Sequence, residues 1–357
     1  MIVMNICFLE GDMSRRGGTE RMTAIISKAL CNEENKVFIL SLTLKEKEVF
    51  FNLDYRVTHI VLNQFGKKSG IVKQIGLIHQ FIKKEKIDVV INVDIGMGIY
   101  GIIASFGTTA KTITWEHANY FNNWDSRVFP CFRRFAAKHS GALVVLTDKD
   151  KKNYQDNIRT KTPIYAISNP VNRHDFVYDI HSKTILSAGL LLPIKGYEKA
   201  IQVARKVFDV CPDWKWIICG EGPERNHLEQ LIKENNLQEK MILKGTVQNM
   251  EEQYQMASMF VMTSQMEGLP MVLLEAKSWG LPLVSFDIMT GPSDIIQDGI
   301  NGYLIEEENI DEMAERMVEL IKDDSKRKAF SKESQRDMDK FGMRGIINKW
   351  NKLVNNL

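Results

Sequence analysis

The chain has 357 residues, enough for two domains of ordinary size. Its 44% hydrophobic and 26% charged residues exclude a disordered chain or a coiled coil, and five scattered cysteines without a CxxC pair exclude a disulfide framework or a zinc site. The net charge of +2 hides an asymmetry: residues 1–180 carry 25 Lys and Arg against 18 Asp and Glu (+7), and residues 181–357 carry 22 against 27 (−5). Either one half alone meets an anionic partner, or charge drifts by chance between two domains.

In chain order, β-branched runs alternate with helical stretches. Strands are expected at Met4–Leu9, Val37–Ser41, Arg56–Leu62, Asp88–Val93, Lys111–Trp115, Ala142–Leu146 and Ile164–Ile167, with helices at Thr19–Cys31, Ile71–Lys86 and Arg127–Lys138. The polar segment from Ser168 to Lys183 breaks the rhythm and reads as a linker. The alternation then restarts with strands Thr184–Ala188, Lys215–Cys219, Met241–Lys244, Met259–Met262 and Leu283–Phe286. The intervening helices are Tyr197–Phe208, Glu224–Asn235, Met250–Ala257 and Met271–Trp279, and a helical region follows from Ile310. The fold class is α/β, as two Rossmann-like domains facing across an interdomain cleft. Residues 1–168 form the first, 169–183 the linker and 184–340 the second; 341–357 form a helix expected to pack back on the first. Ligands of such sheets bind beyond the carboxyl ends of the strands.

Gly96-Met-Gly-Ile-Tyr-Gly101 matches the GxGxxG dinucleotide fingerprint literally. It follows a mid-domain strand rather than the first, the helix expected after it (Ile99–Ser105) is short, and Glu116 lies in a loop rather than at a strand end. A close-packed strand-to-helix turn explains the glycines equally well.

The informative stretch is Thr263-Ser-Gln-Met-Glu267-Gly268-Leu269-Pro270-Met271-Val-Leu-Leu-Glu275-Ala, read as strand, loop and helix. Glu267 falls in the loop, Glu275 on the second helical turn, and Pro270 in the first turn, where a missing N–H costs nothing. Free amides around Leu269 and Met271 make that helix end a phosphate site. The carboxylates would accept hydrogen bonds from sugar and ribose hydroxyls; a capping and a surface glutamate is the bland reading of the same spacing. Ser187-Ala-Gly-Leu-Leu-Leu-Pro-Ile-Lys195-Gly puts a lysine at a strand-to-helix turn, in reach of a diphosphate. Gly220-Glu-Gly222-Pro and Gly245-Thr-Val247 end the next two strands, as though backbone must approach a ligand there. In the first half Arg16-Gly17-Gly18-Thr-Glu20 opens a helix, and His117, beside Glu116 and Asn119, follows the strand ending at Trp115.

These motifs resemble the retaining, nucleotide-sugar-dependent glycosyltransferases of family 4, of the GT-B fold, which build bacterial capsule, exopolysaccharide or lipopolysaccharide. The likeness is strongest over Thr263–Leu304, where Glu267-Gly-Leu-Pro, Leu274-Glu-Ala, Gly280-Leu-Pro, Gly291-Pro-Ser-Asp and Asp298-Gly-Ile-Asn-Gly follow the family pattern. It implies that Glu275 binds the donor ribose, Glu267 the transferred sugar and Lys195 the diphosphate. It further implies that Gly17 and Gly18 approach the diphosphate through their amides, that His117 bonds the sugar near its 6-position, and that Gly220–Gly222 and Gly245–Val247 hold a base, most often uracil. Lys195, Glu267 and His117 are the catalytic candidates. Gly17, Gly18, Gly220, Gly222, Val247, Gly268, Leu269, Met271 and Glu275 join Lys195 and Glu267 as donor-binding candidates. No metal and no cofactor beyond the nucleotide-sugar substrate is implied. One departure stands out: the family's usual arginine after the first glycine of the second domain is Leu190 here.

The acceptor is expected to be a glycan or a lipid-linked sugar, met by the basic half. Two stretches there are basic and amphipathic: Gly66-Lys-Lys-Ser-Gly-Ile-Val-Lys73 through Lys86, with Ile71, Ile75, Ile78 and Ile82 in one stripe, and Trp124 through Lys138. They read either as helices with solvated lysines or as contacts to an anionic membrane. Nucleic acid is not an expected partner. Met1–Leu9 lacks the features of a secretory signal, so the expected place is the cytoplasm or the inner membrane face. A nucleotide-sugar epimerase of the same architecture and a catalytically silent sugar-nucleotide binder are the rival readings.

Overall fold

The computed structural model of the chain describes residues 4–64, 70–123, 126–175 and 177–357. It divides into two compact units: residues 1–169 with 344–357, and residues 170–343.

Among the described residues, unit 1 is built on a seven-stranded parallel sheet of β1 (Met4–Asp12), β2 (Asn35–Leu44), β3 (Thr58–Gln64), β4 (Val89–Val93), β5 (Lys111–Trp115), β6 (Ala142–Val145) and β7 (Ile164–Ala166). The spatial order is β3-β2-β1-β4-β5-β6-β7. Helices α1 (Gly18–Leu30), α2 (Ile71–Lys84), α3 (Ile95–Ser105), α4 (Phe129–His139) and α5 (Asp148–Asn157) connect the strands. Strands such as β4, Val-Val-Ile-Asn-Val, are buried along their whole length because helices cover both sheet faces. One core cluster joins Leu9, Phe38, Leu40 and Val90 to Ile78 and Ile82 of α2. Another joins Leu143 and Val145 to Ala136 of α4 and Tyr154 of α5.

Among the described residues, unit 2 has six parallel strands: β8 (Thr184–Ala188), β9 (Lys215–Cys219), β10 (Met241–Gly245), β11 (Met259–Met262), β12 (Leu283–Phe286) and β13 (Gly302–Ile305). Their order, β10-β9-β8-β11-β12-β13, repeats the doubly wound pattern of unit 1. Its helices are α6 (Tyr197–Val210), α7 (Arg225–Glu234), α8 (Met250–Met256), α9 (Met271–Ser278), the single turn α10 (Pro292–Ile295), α11 (Ile310–Lys322) and α12 (Asp324–Ser334). Residues 170–183 run without helix or strand, where described, along unit 2: His174 stacks on Trp279 at 4.0 Å and the Tyr178 hydroxyl donates to the Ser258 carbonyl at 2.6 Å. The last helix, α13 (Met343–Asn355), buries Trp350 in unit 1, edge-on to Trp115 with ring centroids 5.0 Å apart.

Three elements were not expected from the sequence: α5, β13 and α10. A fourth differs in extent. α3 begins at Ile95, capped by the Asp94 side chain, so Gly96, Gly98 and Gly101 lie inside the helix. The literal GxGxxG is a packing face: a side chain at Gly101 would overlap that of Asn92 on β4.

The basic stretches are only partly surface. On α2, Ile75, Ile78 and Ile82 join the core, while Ile71 and Val72 are exposed; residues 66–69 lie outside the described residues. On α4, Phe129, Phe132 and Phe135 pack inward, and the buried Arg133 bonds Asn123 Oδ1 at 2.7 Å and the Asn122 carbonyl. Arg133 is therefore a strut of unit 1 rather than a surface cation. Trp124 lies outside the described residues. Among the described residues no helix is long and apolar enough to cross a membrane.

Candidate active site

In unit 2 the strand order reverses between β8 and β11, the switch point at which doubly wound sheets bind ligands. The loops leaving these two strands carry Lys195 and Glu267. After β8 the chain makes a 3₁₀ turn at Pro193–Lys195 and enters α6 through Gly196, at φ 65°. Only glycine fits: the φ is left-handed, and a Cβ would overlap the carbonyl oxygen of Thr263. The loop after β11 clasps this turn. Thr263 Oγ1 donates to the Lys195 carbonyl (3.1 Å), and the Gln265 amide donates to the Ile194 carbonyl (2.9 Å). With both backbones fixed, Lys195 Nζ meets Glu267 Oε1 at 2.6 Å, the two side chains only 23% and 13% exposed.

The Glu267 loop is buttressed from behind. Thr290 Oγ1 donates to the Glu267 carbonyl at 2.6 Å, and Gly291, before the single turn α10, sits against Pro270 and the Gly268 carbonyl. The Gly291-Pro-Ser-Asp motif is thus a support for Glu267-Gly-Leu-Pro. Pro270 is the residue before α9 rather than its first; the Leu273 and Leu274 amides already bond its carbonyl at 3.1 Å. The amides of Met271 and Val272 precede that first intrahelical bond, while Leu269 is buried beside them. One turn on, Glu275 is 8% exposed, and its Oε2 accepts the Tyr254 hydroxyl at 2.9 Å.

Gly220 and Gly222 also stand where a neighbouring backbone comes close. A Cβ at either position would overlap the carbonyl of Gly189 or Leu191. What these glycines admit is the backbone of the neighbouring loop. The loops are stitched by Gly189 N to Cys219 O (2.9 Å), Leu191 N to Glu221 O (3.0 Å) and Gly220 N to Gly245 O (2.8 Å). Val247 is half-buried in the loop between β10 and α8. Leu190 is 46% exposed, an apolar side chain at the surface where the likeness implied arginine.

In unit 1, Gly17 is the residue before α1 and Gly18 its first. Of the two arginines before them, Arg15 pairs with the buried Glu20 at 2.8 Å and Arg16 lies over the Phe50 ring. At the end of β1, Glu10 is buried and pushed up to about 8, first by burial and then by Glu20. Thr23 Oγ1, within 3.2 Å of Glu10 Oε2 and 3.0 Å of the Thr19 carbonyl, and the Gly11 amide at 3.0 Å donate to that carboxyl and pull the other way, more weakly. His117 follows β5 with its ring 4.1 Å from that of Trp115. Burial pushes it down to about 3, so the imidazole is neutral near pH 7, and its Nε2 has no hydrogen-bond partner among the described residues. The neighbours that made His117 conspicuous are structural. Glu116 accepts the Tyr154 hydroxyl and the Ala118 amide, both at 2.9 Å, and Asn119 Oδ1 accepts the Phe121 amide.

The structure therefore joins Lys195 to Glu267 and places Gly268, Leu269, Met271 and Glu275 in the following loop and helix. Gly220, Gly222 and Val247 stand on the loops of β9 and β10. Thr263, Thr290 and Tyr254 were missed by sequence reasoning. Thr263 had a readable signal, a hydroxyl straight after an apolar strand; Thr290 and Tyr254 had none without the tertiary contacts.

Two family models match the chain: Glycosyltransferase Family 4 over residues 16–175 and Glycosyl transferases group 1 over residues 172–337. The chain is 27% identical over 354 residues to the amylovoran biosynthesis glycosyltransferase AmsD of Erwinia amylovora, covering 96% of this chain and 97% of AmsD. It is 26% identical over 367 residues to a Campylobacter jejuni protein, covering 99% of this chain and 98% of the relative. That relative is the GalNAc-alpha-(1->4)-GalNAc-alpha-(1->3)-diNAcBac-PP-undecaprenol alpha-1,4-N-acetyl-D-galactosaminyltransferase. Among solved structures, this chain resembles a mutant of Staphylococcus aureus TarM in complex with fondaparinux, alpha-GlcNAc-glycerol and UDP. The TM-score is 0.72 at 26% identity, over 79% of this chain and 59% of that one.

Proposed function

Since the chain belongs to the family 4 glycosyltransferases, of the GT-B fold, we propose that it moves a hexose or N-acetylhexosamine from a UDP-sugar to a sugar hydroxyl of a lipid-linked or polysaccharide-precursor acceptor, with retention at the anomeric carbon. The observation that carries this reading is the Lys195–Glu267 pair at the switch point of unit 2, held beside the start of α9.

In this reading the diphosphate takes Lys195 from Glu267. The ammonium and the Met271 and Val272 amides neutralise the charge that grows on the leaving phosphate, the main catalytic contribution in a reaction through an oxocarbenium-like transition state. Glu267, released from the lysine, accepts hydrogen bonds from hydroxyls of the transferred sugar, and Glu275 accepts them from the ribose. The Gly220–Gly222 and Gly245–Val247 loops hold the base. Gly17, Gly18 and His117 keep the diphosphate and 6-position roles that the likeness implies for them, and a neutral imidazole can accept or donate a hydrogen bond without adding a positive charge. A phosphate oxygen takes the acceptor's proton, so neither a protein nucleophile nor a metal is required.

The test is a donor screen of the purified chain: hydrolysis of UDP-, GDP- and ADP-sugars without acceptor, thermal stabilisation by the free diphosphates, and the anomeric configuration of the transfer product. Stabilisation by UDP with a retained product is expected. An inverted product, or no response to any of the three donors, refutes the reading. The same reading places the chain in the cytoplasm, at the inner membrane face, with Ile71, Val72 (86% exposed) and Lys73 as its contact. Co-sedimentation with phosphatidylglycerol vesicles that Val72→Asp leaves unchanged refutes that contact.

A further inference from the structure

The ribose role of Glu275 is itself a proposal, and the role inferred here for its hydrogen-bond partner rests on it. A nearly buried carboxylate is useful for recognising a diol only if its oxygens are already aimed, because a freely rotating side chain loses affinity when it is ordered on binding. The structure shows what aims it. The Tyr254 hydroxyl, buried on α8, donates to Glu275 Oε2 at 2.9 Å, a charge-assisted bond with a rigid donor. α8 is itself fixed at both sides. Asn249 caps its first turn by accepting the Glu251 amide, and buried Gln253 accepts Lys244 Nζ from the end of β10 at 2.7 Å. The loop that leads from β10 into α8 is the one expected to hold the base.

We propose that Tyr254 is a positioning residue: it orients the Glu275 carboxylate for the donor ribose and ties that orientation to the base-holding loop after β10. Tyr254 touches neither sugar nor phosphate. It acts through Glu275, so its loss should be felt through the ribose hydroxyls alone.

The test compares UDP with 2′,3′-dideoxy-UDP by calorimetry on the full chain. Tyr254→Phe, which keeps the ring, is expected to weaken UDP five- to twentyfold and leave the dideoxy nucleotide within twofold. Glu275→Gln is expected to weaken UDP as well, and the double variant to bind no worse than Glu275→Gln alone. UDP affinity within twofold of wild type in Tyr254→Phe overturns the proposal. So does equal weakening of both nucleotides, the mark of a merely structural role, or full additivity in the double variant. If Glu275→Gln leaves UDP binding intact, or the wild-type chain binds neither nucleotide, the ribose role itself falls; a loss in Glu275→Gln without one in Tyr254→Phe removes only this inference. Should Tyr254→Phe fail to fold, Glu275→Asp, which keeps the charge but draws it back from the hydroxyl, is expected to lose the UDP preference, and an unchanged preference there overturns the proposal.

Discussion

Replacing Lys195 by alanine separates the leaving-group role of the lysine from its part in holding the fold. Its Nζ lies 2.6 Å from Glu267 Oε1, and both side chains retain some exposure, 23% and 13%. Exposed pairs contribute roughly 0–1 kcal/mol, and this pair is only partly covered, so the fold should lose about 1 kcal/mol. In a unit of this size that is roughly 2–4 °C of melting temperature. The transition state should lose far more. Deleting one preorganised group aimed at developing negative charge costs about 2.7–4 kcal/mol, or roughly 10²–10³-fold in rate. The assay is steady-state transfer or donor hydrolysis with a UDP-sugar, with the melting temperature measured on the same sample. The expected result is a collapse of kcat at nearly unchanged stability, partly rescued by Lys195→Arg. Activity within about threefold of wild type refutes the assignment, and a collapse of both rate and folding refutes the small stability cost assigned to the pair.

Two further outcomes concern stability. Trp350→Ala empties a fully buried indole site against Trp115 and should cost about 3–5 kcal/mol; a melting temperature unchanged by it contradicts the packing of α13 on unit 1. Glu10 and Glu116, both pushed up from 4.5 to about 8, bind a proton in the folded chain where the unfolded chain has released it, so stability falls as pH rises from about 4.5 to 8. His117, pushed down from 6.5 to about 3, opposes this only below pH 6.5, where the unfolded chain takes up the proton and the folded chain does not. The chain should therefore melt higher at pH 6 than at pH 8.5, with a slope of at most about 1.4 kcal/mol per pH unit for each glutamate, and Glu10→Gln should flatten it. An unchanged slope in Glu10→Gln excludes Glu10 as a source.

Much of this architecture was legible in the sequence because parallel strands buried on both faces are unbroken apolar runs; β4, β8 and β11 stand within a residue of their expected bounds. What escaped has specific causes. α5 is almost wholly polar, burying mainly Asp150 and Tyr154, so no apolar stripe announced it. β13 has four residues and follows directly on a glycine-rich turn. α3 was shortened because glycine reads as a turn, although here it lets a helix lie close to β4. In the candidate site the charged residues were readable from type and spacing. The strand order that brings Lys195 beside Glu267 was not, since pairing between strands distant in sequence leaves no local mark. The glycines at 220 and 222 were noticed by type, but the close approach of a neighbouring backbone that each of them admits left no local mark in the sequence.

The return of α13 to unit 1 makes that unit discontinuous in the chain. Its two pieces are separated by the whole of unit 2, so unit 1 cannot complete its core when its first 169 residues have been made. Until α13 follows, the face that receives Trp350 stays open. Unit 2, an uninterrupted segment, has every residue of its core available first. Maturation should therefore run against the usual N-terminal-first order, with unit 2 closing early and unit 1 locking last.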